Sequence, residues 1–177
     1  MSDEILRTGR LRLRAFTSAD ESPLFEVFAD PYARRFYPQM ADPARVKAWI
    51  NWNLRNYDEL GFGLWAMELR AGGQLIGDCG LTYQDVDGRK ELEIGYHVIE
   101  RERGKGYATE AARECLDYGF THTSAVSICS IVKPSNHASC GVAARIHTAR
   151  RQLLNGDQPA LLFYTMRHDW ETLRSER

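Results

Sequence analysis

From Gly63 onward the apolar period of the chain changes from 3.6 residues to 2, and three strands follow with no room for a crossover between them. Gly63–Leu69 reads as the first, Gln74–Tyr83 as the second and Glu91–Ile99 as the third, with turns at Ala71-Gly72-Gly73 and Val86–Lys90. Strands joined by connections this short must be antiparallel neighbours, because a parallel return needs a dozen or more residues. That run rules out a doubly wound parallel sheet.

The flanks supply the other layer. Arg10–Phe16 alternates, with Leu11, Leu13 and Ala15 on one face and Arg12 and Arg14 on the other, as a half-buried strand does. Thr17 or Ser18 caps a helix to about Ala29. Asp42-Pro43 opens a second helix that carries Val46, Trp49, Ile50 and Leu54 to about Leu60. Gly104–Phe120 has one apolar stripe of Ala108, Ala111, Ala112, Cys115, Leu116 and Phe120. Val126–Val132 is a short strand and Asn136–Ile146 a helix, and Asn155-Gly156 joins strands Ala149–Leu154 and Ala160–Arg167 as a hairpin. The predicted order, β α α β β β α β α β β, is that of an α+β fold with a mixed, mostly antiparallel sheet of six to seven strands and about four helices. We expect one domain over 1–177, with 168–177 as a C-terminal tail.

Composition narrows the function. With a formal net charge of −1, the chain lacks the basic excess of a nucleic-acid-binding domain, and the arginine clusters at Arg7–Arg14 and Arg145–Arg151 read as solvated charge. Cys79, Cys115, Cys129 and Cys140 include no C-x-x-C pair, so free thiols and no metal site are expected. No signal-peptide pattern or membrane-length apolar run is present, which points to the cytoplasm.

The segment that carries chemistry is Arg101-Glu102-Arg103-Gly104-Lys105-Gly106-Tyr107-Ala108-Thr109, between a strand and an alanine-rich helix. A helix start leaves about four backbone N–H groups without partners at the positive end of the dipole. Two glycines let that backbone approach a ligand closely, so the turn reads as a phosphate cradle. It is not a Walker A loop, because Lys105 is followed by Gly106 and not by Ser or Thr. It is not a dinucleotide fingerprint either, because Thr109 stands where the third glycine belongs and the preceding strands are antiparallel. Arg101, Gly104 and Gly106 do satisfy Arg/Gln-x-x-Gly-x-Gly/Ala.

With that motif the sequence resembles the GNAT superfamily of acyl-CoA-dependent N-acetyltransferases over nearly its whole length. Thr8-Gly9-Arg10-Leu11-Arg12-Leu13-Arg14, Glu93-Ile94-Gly95-Tyr96 and Pro134-Ser135-Asn136-His137-Ala138-Ser139 look like the branch that includes ribosomal-protein N-terminal acetyltransferases. The resemblance implies acetyl-CoA as acyl donor. Backbone groups of Val98 and Ile99 would pair with its pantetheine arm, amides of Arg103, Gly104, Lys105, Gly106, Tyr107 and Ala108 would hold its pyrophosphate, and Asn136 would hydrogen-bond the pantetheine. Ser139 would sit near the thioester sulfur. The implied acceptor is a primary amine, either a peptide N-terminal α-amine or a small molecule of antibiotic or polyamine type. A CoA-binding sensor without turnover is the alternative from another class, and exposed sheet edges allow a homodimer.

Acetyl transfer by direct attack requires a neutral amine. At pH 7 deprotonation costs about 1.4 kcal/mol for an α-amine and about 4.6 kcal/mol for a lysine. A general base therefore helps. Alternation puts Glu91, Glu93, Gly95 and His97 on one face of their strand, with Leu92, Ile94, Tyr96 and Val98 opposite. Glu93 fills the E-I-G-Y position and is the expected base. His97 is an alternative, though it reads first as a surface histidine. Ala143 stands where many relatives carry a proton-donating tyrosine, which leaves Ser139 as donor to the thiolate. The run Arg145-Ile146-His147-Thr148 lacks the glycine that usually ends this helix. Trp49 reads as core, while Trp52 and Trp65 could line an acceptor cleft.

Overall fold

In the computed structural model, which describes residues 4–176, eight strands join in the order β1-β2-β3-β4-β5-β6-β8-β7. They are β1 (Glu4–Arg7), β2 (Leu11–Arg14), β3 (Leu64–Leu69), β4 (Leu75–Val86), β5 (Arg89–Val98), β6 (Ser127–Val132), β7 (Ala149–Asn155) and β8 (Gln158–Met166). The helices are α1 (Glu21–Val27), α2 (Pro31–Phe36), α3 (Pro43–Leu60), α4 (Tyr107–His122), α5 (His137–Ile146) and α6 (Arg167–Ser175). The fold is α+β with a mixed sheet, as expected, but it has more elements than the sequence pattern revealed. β1 is four residues long, and α2 is a six-residue helix that opens on Pro31. Both are too short to show a period. The expected tail is a helix, α6.

The chain forms two compact units, Met1–Gly80 with Gly95–Glu114, and Leu81–Ile94 with Cys115–Arg177. In the first, β1, β2, β3 and β4 pair antiparallel in sequence order. Leu11, Leu13, Val46, Ile50, Leu64, Met67 and Ile76 are buried there. Trp65 joins them at 1% exposure, so it is core and not cleft lining. Asp42 caps α3 by accepting from the Ala44 amide at 2.9 Å, and Gly61 ends it at φ +80°. Arg14, expected to be solvated, is buried between Asp20 and Glu68, so the arginine cluster of the opening strand is partly internal.

In the second unit, β5 runs parallel to β6 through Leu92↔Ile128 and Glu93↔Cys129, and β8 pairs antiparallel with β6 and β7. Val86, Cys129, Leu153, Ala160 and Leu162 pack together. In α6, Trp170 stacks on Phe120 at 5.1 Å and donates to Asp117 at 2.6 Å.

α5 ends without a glycine because His147 leaves it in extended conformation, φ −104° and ψ 155°, which any residue can adopt. Its ring fills the helix end, with Nδ1 3.1 Å from Thr165 Oγ1 and Nε2 3.1 Å from Ser130 Oγ. Burial pushes its pKa down to about 3 from 6.5. The unfolded chain therefore binds the proton more readily, so this contribution to stability is complete above the unfolded pKa and is lost as pH falls from there toward the folded value. Unfolding free energies from urea titrations at pH 7.5 and pH 5 should differ by about 2 kcal/mol more in the native chain than in H147Q, at 1.36 kcal/mol per pH unit. Equal pH dependence in the two proteins would mean that the ring is hydrated.

Candidate active site

The turn from Ile99 to Ala108 belongs to the first unit. Ile99 donates its amide to Ile76 O at 2.8 Å, so alternation aims the backbone groups of Val98 away from β4. After a short 3-10 turn at Glu100–Glu102, Gly104 and Gly106 take left-handed φ values of +76° and +86°, and α4 begins at Tyr107. A Cβ at Gly104 would meet no atom within 4 Å. The amide-bearing backbone of this turn is thus exposed at the start of a 16-residue helix, which is the geometry an anionic diphosphate needs. The residues present fit the pyrophosphate of acetyl-CoA.

Arg103 offers its backbone to that turn, but its side chain is committed elsewhere. The guanidinium makes a two-pronged pair with Asp30 at 2.9 and 2.7 Å and donates through Nε to Val98 O at 2.8 Å. The Arg103 pair holds the Asp30 carboxyl below the usual carboxylate range, and it outweighs burial. Lys105 pairs with Glu102 at 2.8 Å. Arg101 is exposed, 3.9 Å from Glu26.

One residue that organises the turn was read from the sequence as solvated charge. Arg10 donates to Lys105 O at 2.9 Å and to Glu110 Oε2 at 2.7 Å, and its guanidinium lies 4.4 Å over the Tyr107 ring. Glu110 also accepts from the Thr8 hydroxyl and the Arg10 amide. Burial raises the Glu110 pKa, but these donors outweigh it and hold it low. The link from Thr8–Arg10 to Lys105–Glu110 spans about a hundred positions, and no spacing rule signals it.

His97 also departs from expectation. Its side chain is 11% exposed, and Nδ1 lies 2.6 Å from Oδ1 of the fully buried Asp78. It is not a surface histidine, because a buried carboxylate on β4 holds it inward. Trp49 donates its indole N–H to the other Asp78 oxygen at 3.0 Å, so Trp49 is a polar anchor and not only core. A signal for the pair was present: Asp78 and His97 are equidistant from the Asp87-Gly88 turn, and a hairpin folded about that turn sets them opposite.

In the second unit, Glu93 Oε1 accepts from the Ile131 amide at 3.1 Å, and Glu91 accepts from Ser127 Oγ at 2.6 Å. Both glutamates are half-buried on the face that the alternation assigned them. Asn136 is buried and caps α5 by accepting from the Ser139 amide at 3.2 Å, while Ser139 is half-buried in the first turn.

Residues 10–148 match the family of the acetyltransferase (GNAT) domain. The chain belongs to the GNAT acetyltransferase family. Protein YkkB of Bacillus subtilis, itself uncharacterized, is 39% identical over 142 residues, covering 80% of this chain and 83% of its own. The crystal structure of an acetyltransferase from Agrobacterium tumefaciens superposes with a TM-score of 0.77 at 28% identity, covering 93% of this chain and 95% of that one. RimL, described as a ribosomal L7/L12 alpha-N-protein acetyltransferase in complex with coenzyme A, has the same fold with a TM-score of 0.76 at 14% identity, covering 93% and 98%. In this GNAT chain the position of the missing tyrosine donor, Ala143, is fully buried. Among the described residues no helix is long and apolar enough to cross a membrane.

Proposed function

We propose that the chain is one acetyltransferase domain that moves an acetyl group from acetyl-CoA to a primary amine by direct attack, with Glu93 as general base. The observation that carries the cofactor half is the pair of left-handed glycines opening α4 with open space at Gly104. Amides of residues 103–108 hold the pyrophosphate, Val98 and Ile99 meet the pantetheine arm, and Asn136 orients it. Ser139 stands at the start of α5 as proton donor to the thiolate. No metal enters this chemistry.

The acceptor favoured is a protein N-terminal α-amine. The three branch-like segments support it, and so does the lower cost of neutralising an α-amine. RimL contributes only a likeness of fold. Small amines, and a CoA sensor without turnover, are the other outcomes of the test.

Glu93 carries the proton accounting of the amine in this reading. E93Q keeps the oxygen that accepts from Ile131 and removes the base. Its turnover, followed by thiol release with peptide and small-amine panels, should fall about 100-fold or more, while calorimetric acetyl-CoA affinity stays within about twofold. Equal turnover would remove Glu93 from the mechanism.

A further inference from the structure

The Asp78–His97 pair lies wholly within the first unit and is walled by aromatic rings. The His97 ring has Phe28 at 5.0 Å, Tyr37 at 4.6 Å and Trp49 at 6.1 Å between centroids. Trp52 backs Trp49 at 5.2 Å. Asp78 is fully buried, and both its oxygens are used, one by His97 Nδ1 and one by the Trp49 indole. An ionised carboxylate only accepts hydrogen bonds. It therefore places the imidazole proton on Nδ1 and leaves the lone pair on Nε2. Among the described residues Nε2 has no hydrogen-bond partner, and no buried side-chain nitrogen or oxygen in them lacks one. Nε2 is therefore the accessible end of an otherwise enclosed ring.

A hairpin does not need this arrangement for its stability. Burying a carboxylate is costly unless it is paired, and an apolar pair at these positions would hold β4 to β5 as well. The backbone is already tight here, since a Cβ at Gly77 would lie 1.9 Å from His97 O. What the pair provides is an oriented imidazole base, 11% exposed and packed among aromatic rings. Among the described residues the titratable groups against the ring are Asp78 from β4 and Tyr37, which directly follows α2, with Trp49 from α3 as a neutral donor to Asp78.

The geometry points to His97 as a second catalytic base, which takes the first proton from the incoming ammonium, with Asp78 as the positioning residue that fixes its tautomer. This rests on the acetyl-transfer reading above. A primary ammonium has three N–H bonds and the amide product has one, so two protons must leave. The first goes to His97 Nε2 and frees the nitrogen lone pair. The N–C bond then forms at the thioester carbonyl and the C–S bond breaks. The second N–H proton then leaves, the thiolate takes up one proton, and one proton reaches solvent. A cationic amine approaching past the half-buried Tyr37 and Trp49 gains cation–π attraction before it is deprotonated.

Two variants and one spectrum test this. H97N keeps a donor toward Asp78 but removes the base, and D78N keeps the shape but releases the tautomer. With a peptide bearing a free α-amine, or with phenethylamine, kcat/KM of H97N at pH 7 should fall about 100-fold. Acetyl-CoA affinity by calorimetry should stay unchanged. The deficit should shrink as pH approaches about 9.5, where the amine loses its proton unaided. A merely structural pair would give a deficit that does not vary with pH. Long-range proton–nitrogen NMR of the wild-type chain at pH 7.5 should show His97 protonated on Nδ1, with D78N moving the proton to Nε2. A pH-independent deficit, undiminished turnover in H97N, or a wild-type proton on Nε2 would each overturn the assignment. Loss of acetyl-CoA binding in the wild type would instead sink the acetyl-transfer reading itself.

Discussion

Replacing Gly104 with valine will abolish acetyl-CoA binding while leaving the fold in place. Gly104 sits at φ +76°, where a β-branched residue is strained by roughly 1–3 kcal/mol. That strain alone will not unfold a domain, because nothing lies within 4 Å of the new Cβ. The new side chain occupies open space at the turn whose amides are proposed to hold the pyrophosphate. Forfeiting two charge-assisted hydrogen bonds at about 1.5–3 kcal/mol each predicts at least about a 100-fold rise in the dissociation constant. The measurements are calorimetric titration of acetyl-CoA and a thermal melt of the same sample. Unchanged affinity in a folded variant would remove the pyrophosphate assignment.

The second large effect is on stability. R14M should destabilise the chain by about 3–5 kcal/mol in urea, because it strands two buried carboxylates. Arg14 donates to both Asp20 oxygens at 2.8 Å and to Glu68 Oε1 at 2.7 Å, and Asp20 also accepts from the Thr17 amide at 2.7 Å. Arg12 closes the cluster on the other oxygen of Glu68 at 3.0 Å through Nε. Burial pushes the Asp20 pKa up, but Arg14 and Thr17 outweigh it and hold it below its ordinary value. The wild-type contribution of Asp20 is therefore present above the unfolded carboxylate pKa and is lost only as pH falls through the lower folded one. Without Arg14 burial prevails and the sign reverses. R14M should then recover part of its loss between pH 7 and pH 5, as the stranded carboxyl takes a proton. A loss under about 1 kcal/mol would mean that water enters and hydrates the cluster.

Much of the architecture was legible because it is encoded locally. Asp42-Pro43 starts α3 through a side-chain cap, the Asn155-Gly156 signal falls at the last hairpin although its two-residue turn is Gly156-Asp157, and the alternation from Glu91 sets the buried Leu92, Ile94 and Tyr96 opposite the half-buried Glu91, Glu93, Gly95 and His97, while Val98 is half-buried too. The turn at Arg101–Ala108 was legible for the same reason. Its left-handed glycines and the helix after them are properties of neighbouring residues, and their chemistry needs no distant partner.

Pairing across the sheet was not legible. A period of 2 tells which face a side chain takes, but not which side chain of another strand it meets. Arg10, Arg12 and Arg14 all read as polar-face arginines, yet one pins the helix-opening turn, one rims a carboxylate and one is buried between two. His97 reads as surface until Asp78 and Trp49 are placed beside it. Charge, tautomer and burial depend on partners a few ångströms away in space and tens of residues away in sequence. The order of residues carries the longer elements, the glycine turn before α4 and the faces of most strand residues, but not β1, α2 or α6. Only the tertiary structure decided which charges are internal and which histidine nitrogen is presented, because desolvation and hydrogen bonding act over distances that the fold, and not the chain order, sets.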